Sequence, residues 1–424
     1  MKKSIVSLLT MGALSAMLAV AATGCAGTGK TEGTTVGTTA AGQSTAEKKE
    51  NEASTTDGKG KKAVYLVNGS LGDKGFFDSA AKGMDLVHKD LGWETKIVEM
   101  GRDETSYESN FLDAADQDWD LIVAGTFSVR EQIEETSAKY PEKTFLAFDC
   151  AINRDVATEG NVLGITYNSN EASYLAGVMA AKMLDSGDAK IDASKRVLGF
   201  VGSMDSANIN DFLVGYIEGV KSVDPSIRVL TSYVGSFEDV PKCLEMTTQL
   251  YNQGAQMVYA PASQSILGAA TAAKNCDKYL IACDQDLYTQ LKTDQADLAA
   301  NIITSTLKNV GESIETAVKG LESGEMNGTQ DYVMGLKSGA VGLAENENYE
   351  KLASDDAKKA VEDAKKKIID GEIKVDDNNQ WFCPQCGNTE RTKLTVIRRT
   401  CGYLGENFWN EGRTKEIKDR VLHI

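Results

Sequence analysis

The sequence predicts an α/β fold of two similar lobes, each built on a parallel sheet with helices on both faces. Two observations lead to it. From residue 61 onward, short runs rich in β-branched and aromatic residues alternate with longer helical runs, an order typical of parallel sheets with crossover helices. The same order of strands, loops and helices then restarts near residue 196. Two sets of roughly 110 residues are of ordinary lobe size, and a cleft is expected between them.

The predicted elements follow in order. The first set has strands at residues 63–67, 94–99, 121–124, 145–149 and 162–167, with helices at 80–91, 107–117, 129–140 and 171–184. The second set has strands at 196–202, 228–234, 257–260 and 279–283, with helices at 209–223, at 240–253 and up to 274. After residue 284 we expect the chain to return to the first lobe through 301–308. A helix to 321, a strand at 332–336 and a helix at 354–370 then close the body.

The predicted organisation has five parts. They are a signal peptide at 1–25, a flexible tether at 26–60, lobe 1 at 61–168 plus about 285–320, lobe 2 at 169–284 plus about 321–377, and a foreign tail at 378–424.

The first residues resemble a bacterial lipoprotein signal. Lys2-Lys3 precede a short apolar run that ends in small residues directly before Cys25. This pattern predicts fatty acylation of Cys25 and a protein held on the outer face of the cell membrane. The alternative is an ordinary secretory peptide with an incidental cysteine.

Composition excludes several function classes. A net charge of −17 argues against nucleic-acid partners. With His88 and His423 as the only two histidines, histidine triads and multi-histidine metal sites are not expected, and we predict no enzyme activity.

The loop after the first strand carries the first indication of a ligand. Gly69, Gly72 and Gly75 recur at every third position, a spacing that fits neither the dinucleotide nor the P-loop fingerprint. Phe76 and Phe77 follow Asp73-Lys74-Gly75. Aromatic rings on a loop at the end of a parallel strand suit a flat, largely neutral ligand. Either phenylalanine alone could instead cap the core.

Several motifs, in order, resemble the basic membrane protein family, the purine-nucleoside receptor lipoproteins of ABC transporters. These motifs are Gly72-Asp73-Lys74-Gly75-Phe76, Ala172-Ser173-Tyr174-Leu175-Ala176-Gly177, Gly199-Phe200-Val201-Gly202-Ser203-Met204-Asp205, Tyr233-Val234-Gly235-Ser236-Phe237-Glu238-Asp239 and Gly335-Leu336-Lys337-Ser338-Gly339-Ala340-Val341-Gly342-Leu343. The resemblance runs over residues 61–375. It implies the type I periplasmic-binding-protein fold, two Rossmann-like lobes joined by a hinge of three crossover strands, with an ABC permease as partner.

The resemblance also implies binding residues. Phe76 is the candidate stacking ring, Asp73 matches the family's loop aspartate, Asp284 ends the matching strand, and Lys308 fits the Thr-Ser-x-x-Lys segment. For the second stacking ring, Phe212, on the helix after Met204, and Phe237 are both candidates. The sequence departs from the family pattern at Phe77, where asparagine is common, and at Cys283 and residues 260–264.

Selectivity requires buried polar groups that a wrong ligand would leave unpaired. Asp149, Asp284 and Lys308 suit that role, and Met204 and Phe77 complete the predicted set. The alternatives are that the acids are helix caps or interlobe contacts and that Lys308 is a solvated helix residue. Hinged closure over the ligand would create the surface that a permease recognises.

The last 45 or so residues resemble the C-terminus of anaerobic ribonucleoside-triphosphate reductase. That resemblance implies zinc at Cys383 and Cys386 and a glycyl radical at Gly402. Only one CxxC pair is present, although Cys401 and His423 could complete a four-ligand site. A dithiol or disulfide is the competing interpretation. We expect no catalysis from the tail.

Three functions therefore remain open. The first is a nucleoside receptor without a cofactor, and the second is a receptor of the same fold for a sugar or signalling molecule. The third is a fragment of the reductase joined to a receptor.

Overall fold

A computed structural model describes residues 60–376 and the backbone of two further short segments, 398–400 and 403–405. The strands are β1 (Lys62–Val67), β2 (Glu94–Glu99), β3 (Leu121–Gly125), β4 (Thr144–Phe148), β5 (Val162–Tyr167), β6 (Val197–Gly202), β7 (Arg228–Tyr233), β8 (Met257–Tyr259), β9 (Tyr279–Asp284), β10 (Ile302–Lys308), β11 (Asp331–Met334), β12 (Val341–Leu343), β13 (Arg398–Thr400) and β14 (Tyr403–Gly405). The helices are α1 (Phe76–Leu91), α2 (Tyr107–Ala115), α3 (Arg130–Lys139), α4 (Ser169–Met183), α5 (Ala207–Val223), α6 (Val240–Asn252), α7 (Ile266–Cys276), α8 (Leu287–Leu291), α9 (Ala296–Ala299), α10 (Val310–Ser323), α11 (Glu347–Leu352) and α12 (Asp355–Ile369). The predicted signal peptide, nearly all of the tether and nearly all of the tail lie outside the described residues.

Two six-stranded sheets form the body. The sheet of lobe 1 has the order β11-β5-β4-β3-β1-β2, and that of lobe 2 has the order β12-β10-β9-β8-β6-β7. Within residues 60–376, all strand pairs are parallel except β10 with β12, which is antiparallel. Strands β1, β3 and β9 are almost wholly buried, as expected where helices cover both faces of a parallel sheet. The predicted α/β fold of two lobes is confirmed.

Two strands lie in the lobe opposite to the one predicted. β10, expected in lobe 1, pairs with β9 in lobe 2, and β11, expected in lobe 2, pairs with β5 in lobe 1. The return to lobe 1 occurs one element later, because α10 packs on α1 through the close approach of Gly311 and Gly83. The predicted boundaries at 285–320 and 321–377 are therefore wrong for these two strands.

The chain crosses between the lobes three times. The crossings lie between β5 and α4, between β10 and α10, and between β11 and β12. Three adjacent connections form a hinge about which two rigid lobes can open and close.

Helices α4 and α5 pack with their backbones almost touching. A Cβ atom added at Gly215 would lie 2.1 Å from the carbonyl oxygen of Asn170, and one at Gly177 would lie 2.2 Å from that of Tyr216. Small residues are required here because any side chain would push the helices apart. Within residues 60–376, no helix is both long enough and apolar enough to cross a membrane.

We expect Gly215→Ala to lower the free energy of unfolding by about 1–3 kcal/mol through overpacking against α4. Gly342→Ala is the matched control, because a Cβ atom there meets no described atom within 4 Å. Urea unfolding of the two variants measures the difference. Equal stabilities would contradict the packing argument.

Candidate binding site

A cleft of about 410 Å³ lies between the lobes, at the carboxyl ends of the strands. Its walls include Asn68, Thr126 and Asp149, which follow β1, β3 and β4, and Ser203 and Asp284 from the equivalent ends of β6 and β9. Ligands of open α/β sheets bind at this edge. The volume lies in the range of small-molecule sites.

A lysine between two carboxylates forms the charged centre of the cleft. Lys308, at the end of β10, places its Nζ 2.9 Å from Oδ1 of Asp149 in the other lobe. Burial lowers the pKa of Lys308, but Asp149 and Asp284 more than offset this effect, and the pKa is raised overall. Burial raises the pKa of Asp284, and Lys308 offsets only part of this rise. Lys308 therefore stays charged, and it is not the solvated helix residue of the alternative interpretation.

Aromatic rings surround the same lysine. Its Nζ lies 5.7 Å from the ring centroid of Phe76, 5.4 Å from that of Tyr167 and 5.0 Å from that of Phe212. A cation over ring faces is attracted by the ring quadrupoles. Phe76 also packs against Phe77 and Phe148, each with a centroid distance of 5.5 Å. The lysine and the rings therefore position one another.

Four residues of the cleft wall adopt left-handed backbone conformations that are uncommon outside glycine. Their φ angles are +78° at Thr126, +57° at Asp149, +50° at Ser263 and +69° at Asp284. Such conformations cost free energy, most of all for a β-branched residue such as Thr126, and they cluster at ligand sites.

Three polar atoms of the wall accept or donate no hydrogen bond within the described residues. They are Oδ1 of Asn68 and the Oγ atoms of Ser203 and Ser206. The amide Nδ2 of Asn68 donates to Thr126 and Ser128, both at 2.7 Å, and this pairing directs its oxygen elsewhere. Buried polar groups normally have partners, which marks these atoms as candidates to bind a ligand.

Asp73, predicted as a binding residue, does not line the cleft. Its Oδ1 accepts hydrogen bonds from the backbone N–H groups of Gly75 at 3.0 Å and Asp78 at 3.1 Å, and its Oδ2 accepts one from Phe77 at 3.0 Å. These are the unpaired amides at the start of α1. The carboxylate therefore caps a helix, and the prediction is corrected.

The other predicted residues lie together along the cleft. They are Phe76, Phe77, Asp149, Met204, Phe212, Phe237, Asp284 and Lys308. Sequence reasoning missed Asn68, Ser203 and Arg102, which also line it. The position of Asn68 and Ser203 directly after the first strand of each lobe was the signal that could have identified them.

The predicted metal and radical residues Cys383, Cys386 and Gly402, with Cys401 and His423, lie outside the described residues.

The fold and the cleft define a two-lobed solute-binding protein. The sequence profile of one family, described as ABC transporter substrate-binding protein PnrA-like, matches residues 60–379. This match covers most of the chain, and the chain belongs to that family of extracytoplasmic substrate-binding proteins.

Relatives and solved structures agree with the family. The chain is 28% identical to basic membrane protein D of Borreliella burgdorferi over 73% of this chain and 86% of that protein. It is 29% identical to the ABC transporter nucleoside-binding protein BmpA of Lactococcus lactis over 69% of this chain and 85% of that protein. An ABC transporter solute-binding protein from Aeropyrum pernix superposes with a TM-score of 0.64 at 25% identity, over 74% of this chain and 92% of that one. One from Bacillus halodurans with bound myo-inositol has a TM-score of 0.51 at 14% identity, over 69% of this chain and 96% of that one, and shows the fold alone.

A second family profile, anaerobic ribonucleoside-triphosphate reductase, matches residues 362–423. It begins inside α12, whose Val361, Ala364 and Ile368 are buried in the core of the body. Residues 362–369 are thus structurally part of the binding protein, whichever profile they match.

Proposed function

We propose that the chain captures purine nucleosides in the interlobe cleft for uptake by an ABC permease. The observation that carries the proposal is the combination, in one cleft, of partly exposed aromatic rings with a buried lysine–carboxylate centre. The relative from Lactococcus lactis, whose name states nucleoside binding, supports it.

The rings suit the base. Phe76 in lobe 1 and Phe237 in lobe 2 are only half-buried along the cleft, whereas Phe212 is 4% exposed and packs edge-on against Tyr259. We therefore assign Phe76 and Phe237 as the two stacking rings. Stacking tolerates different bases because every base has a π-face, and it needs no net charge on the ligand.

The polar groups suit the ribose and the ring nitrogens. Asp284 accepts a hydrogen bond only from the Cys283 thiol, at 3.6 Å, among the contacts of the described residues, and its oxygens can accept ligand hydroxyls. Burial raises the pKa of that thiol well above its usual value, which keeps it a donor. Asn68 and Ser203 supply further hydrogen-bonding atoms.

A sugar is the second candidate ligand. The unpaired oxygens of Asn68, Ser203 and Ser206 would also suit a molecule with several hydroxyls. A purine base, however, is flat and offers a π-face to each of the two rings, which a sugar ring lacks.

Delivery of the ligand to the permease would follow from the membrane location that the sequence predicts. Acyl chains on Cys25 would hold the protein at the membrane, next to its permease. Closure of the lobes would present the surface that the permease recognises.

A thermal-shift screen of the purified chain tests the ligand. Inosine, guanosine or adenosine is expected to raise the melting temperature, because a ligand that binds only the folded state stabilises it. Arabinose and myo-inositol serve as the comparison. A shift with these sugars and none with nucleosides would favour the second candidate.

Nucleoside affinity is expected to fall on acidification, beginning at a pH above the usual range of an aspartate. Burial raises the pKa of Asp284, and the neighbouring Asp149 and Asp73 add to that rise while Lys308 opposes it. As pH falls through this raised pKa, the carboxylate gains a proton and loses acceptor capacity for ligand hydroxyls. Titration calorimetry between about pH 4 and pH 8 measures the profile. Asp284→Asn should bind more weakly at pH 8 and lack the fall; an identical fall in that variant would contradict the assignment.

A further inference from the structure

Arg102, in the loop after β2, connects the two lobes at the rim of the cleft. Its Cζ lies 5.2 Å from the ring centroid of Phe77 in lobe 1 and 5.8 Å from that of Phe237 in lobe 2. Its Nε donates to Oε1 of Glu238 in lobe 2 at 3.0 Å. A planar guanidinium can stack on rings and pair with a carboxylate at the same time. One side chain of lobe 1 therefore makes two contacts with lobe 2.

The lobe 1 side of this contact is fixed in place. The backbone N–H of Gly101 donates to the carbonyl of Gly69 at 3.2 Å, and the buried hydroxyl of Tyr107 donates to the carbonyl of Gly101 at 3.0 Å. A Cβ atom at Gly69 would lie 2.6 Å from the Phe77 ring and 3.3 Å from Cζ of Arg102. Phe77 and Arg102 thus pack directly on the backbone of Gly69, which has no side chain. The guanidinium therefore has a defined position.

The lobe 2 side moves as a unit with its sheet. The carbonyl of Phe237 accepts a hydrogen bond from the N–H of Ser265 at 2.9 Å, and the N–H of Gly235 donates to the carbonyl of Ser203 at 2.7 Å. The N–H of Glu238 donates to Oγ of Ser236 at 3.1 Å. Opening the cleft must therefore separate Arg102 from both Phe237 and Glu238.

We propose that Arg102 is a positioning residue of the binding site, which holds Phe237 over the bound molecule and keeps the closed lobes together. The proposal rests on the proposed function for its probe, a purine nucleoside. The side chains of Arg102 and Glu238 are 43% and 52% exposed, and an ion pair this exposed contributes little alone. Contact with the Phe237 ring adds to it, and both of these contacts with lobe 2 exist only while the cleft is closed.

The expected result is a change in dissociation kinetics. Arg102→Ala should release a bound nucleoside about tenfold faster while its association rate stays within about twofold, because the contact forms only after closure. Stopped-flow fluorescence on the full chain measures both rates. Arg102→Lys keeps the charge but not the planar group, and it should recover only part of the loss.

Lys82→Ala is the matched control, because Lys82 forms an ion pair of similar exposure with Glu312 inside lobe 1. It should leave both rates unchanged. A dissociation rate of Arg102→Ala that equals that of the unchanged chain, or that Lys82→Ala reproduces, overturns the proposal.

A second measurement needs no ligand. Small-angle X-ray scattering should give Arg102→Ala a larger radius of gyration than the unchanged chain and Lys82→Ala, because its lobes separate more readily. If no purine nucleoside binds the unchanged chain, the proposed function fails, and scattering alone then decides about Arg102. Equal radii would in that case overturn its role.

Discussion

Replacing Lys308 by methionine is expected to lower the free energy of unfolding by about 3–5 kcal/mol at neutral pH, because the change leaves a buried carboxylate without its cation. The side chains of Lys308 and Asp149 are 5% and 14% exposed, and solvent cannot replace the lost charge. Asp284 loses the same neighbour, which contributes most to lowering its pKa. Urea unfolding at pH 7 measures the effect.

The loss of stability in Lys308→Met should also depend on pH. A carboxyl whose pKa is raised in the folded state favours folding at low pH, and this contribution is lost as pH rises through the raised value. Because Lys308→Met raises the pKa of Asp284 further, the variant should regain stability as pH falls toward 4, the usual aspartate range. Lys308→Met combined with Asp284→Asn should lose less than Lys308→Met alone.

Lys319→Met is the control for this prediction. Lys319 pairs with Glu315 on the surface of α10 and is 52% exposed, and its loss should cost only about 0.3–0.5 kcal/mol. A Lys308 variant no less stable than this control would show that the lysine–carboxylate centre does not contribute to the folded state.

Phe76→Ala is expected to abolish the thermal shift produced by nucleosides. Losing one stacked ring costs about 1–3 kcal/mol of binding free energy, which lowers affinity by roughly 5- to 150-fold. The substitution also removes the contacts of Phe76 with Phe77 and with the ammonium of Lys308, and the pocket loses its shape as well as a ring. Titration calorimetry with inosine or guanosine measures the loss.

Phe76→Leu separates stacking from packing. Leucine fills most of the same volume without a π-face, and this variant should keep its melting temperature while its nucleoside affinity falls. An unchanged shift in Phe76→Ala would remove Phe76 from the site. Equal affinities of Phe76→Leu and the unchanged chain would mean that the ring acts as apolar volume only.

Much of the site can be predicted from the sequence, because ligands of parallel sheets bind at the carboxyl ends of the strands. Asp149 and Asp284, predicted as buried polar groups, stand at the ends of β4 and β9, and both line the cleft. Asn68 stands at the same kind of position, directly after β1. Asp73 was assigned by its resemblance to the family's loop aspartate, but it caps α1, which is a common role of an aspartate just before a helix. Arg102 carries no local signal, since two of its contacts, Phe237 and Glu238, lie in the other lobe.

The sequence does not predict which lobe contains β10, and the physical reason is different. Thr304, Ser305 and Thr306 are fully buried hydroxyl residues in that strand. The Thr306 hydroxyl lies 2.8 Å from the hydroxyl of Tyr259, and that of Thr304 donates to the carbonyl of Ala344 at 2.7 Å. Periodicity shows that such a strand is buried, but its neighbours are decided by these long-range contacts.

The three crossings of the chain between the lobes have a consequence for recombination within this protein. Neither sheet is encoded by one uninterrupted stretch, since β11 reaches lobe 1 only after β6–β10 have been laid down in lobe 2. A recombination event between β5 and β11 would consequently separate β11 from the other strands of its sheet. Foreign sequence attached beyond the last helix, α12, interrupts neither sheet, and the reductase-like segment continues there.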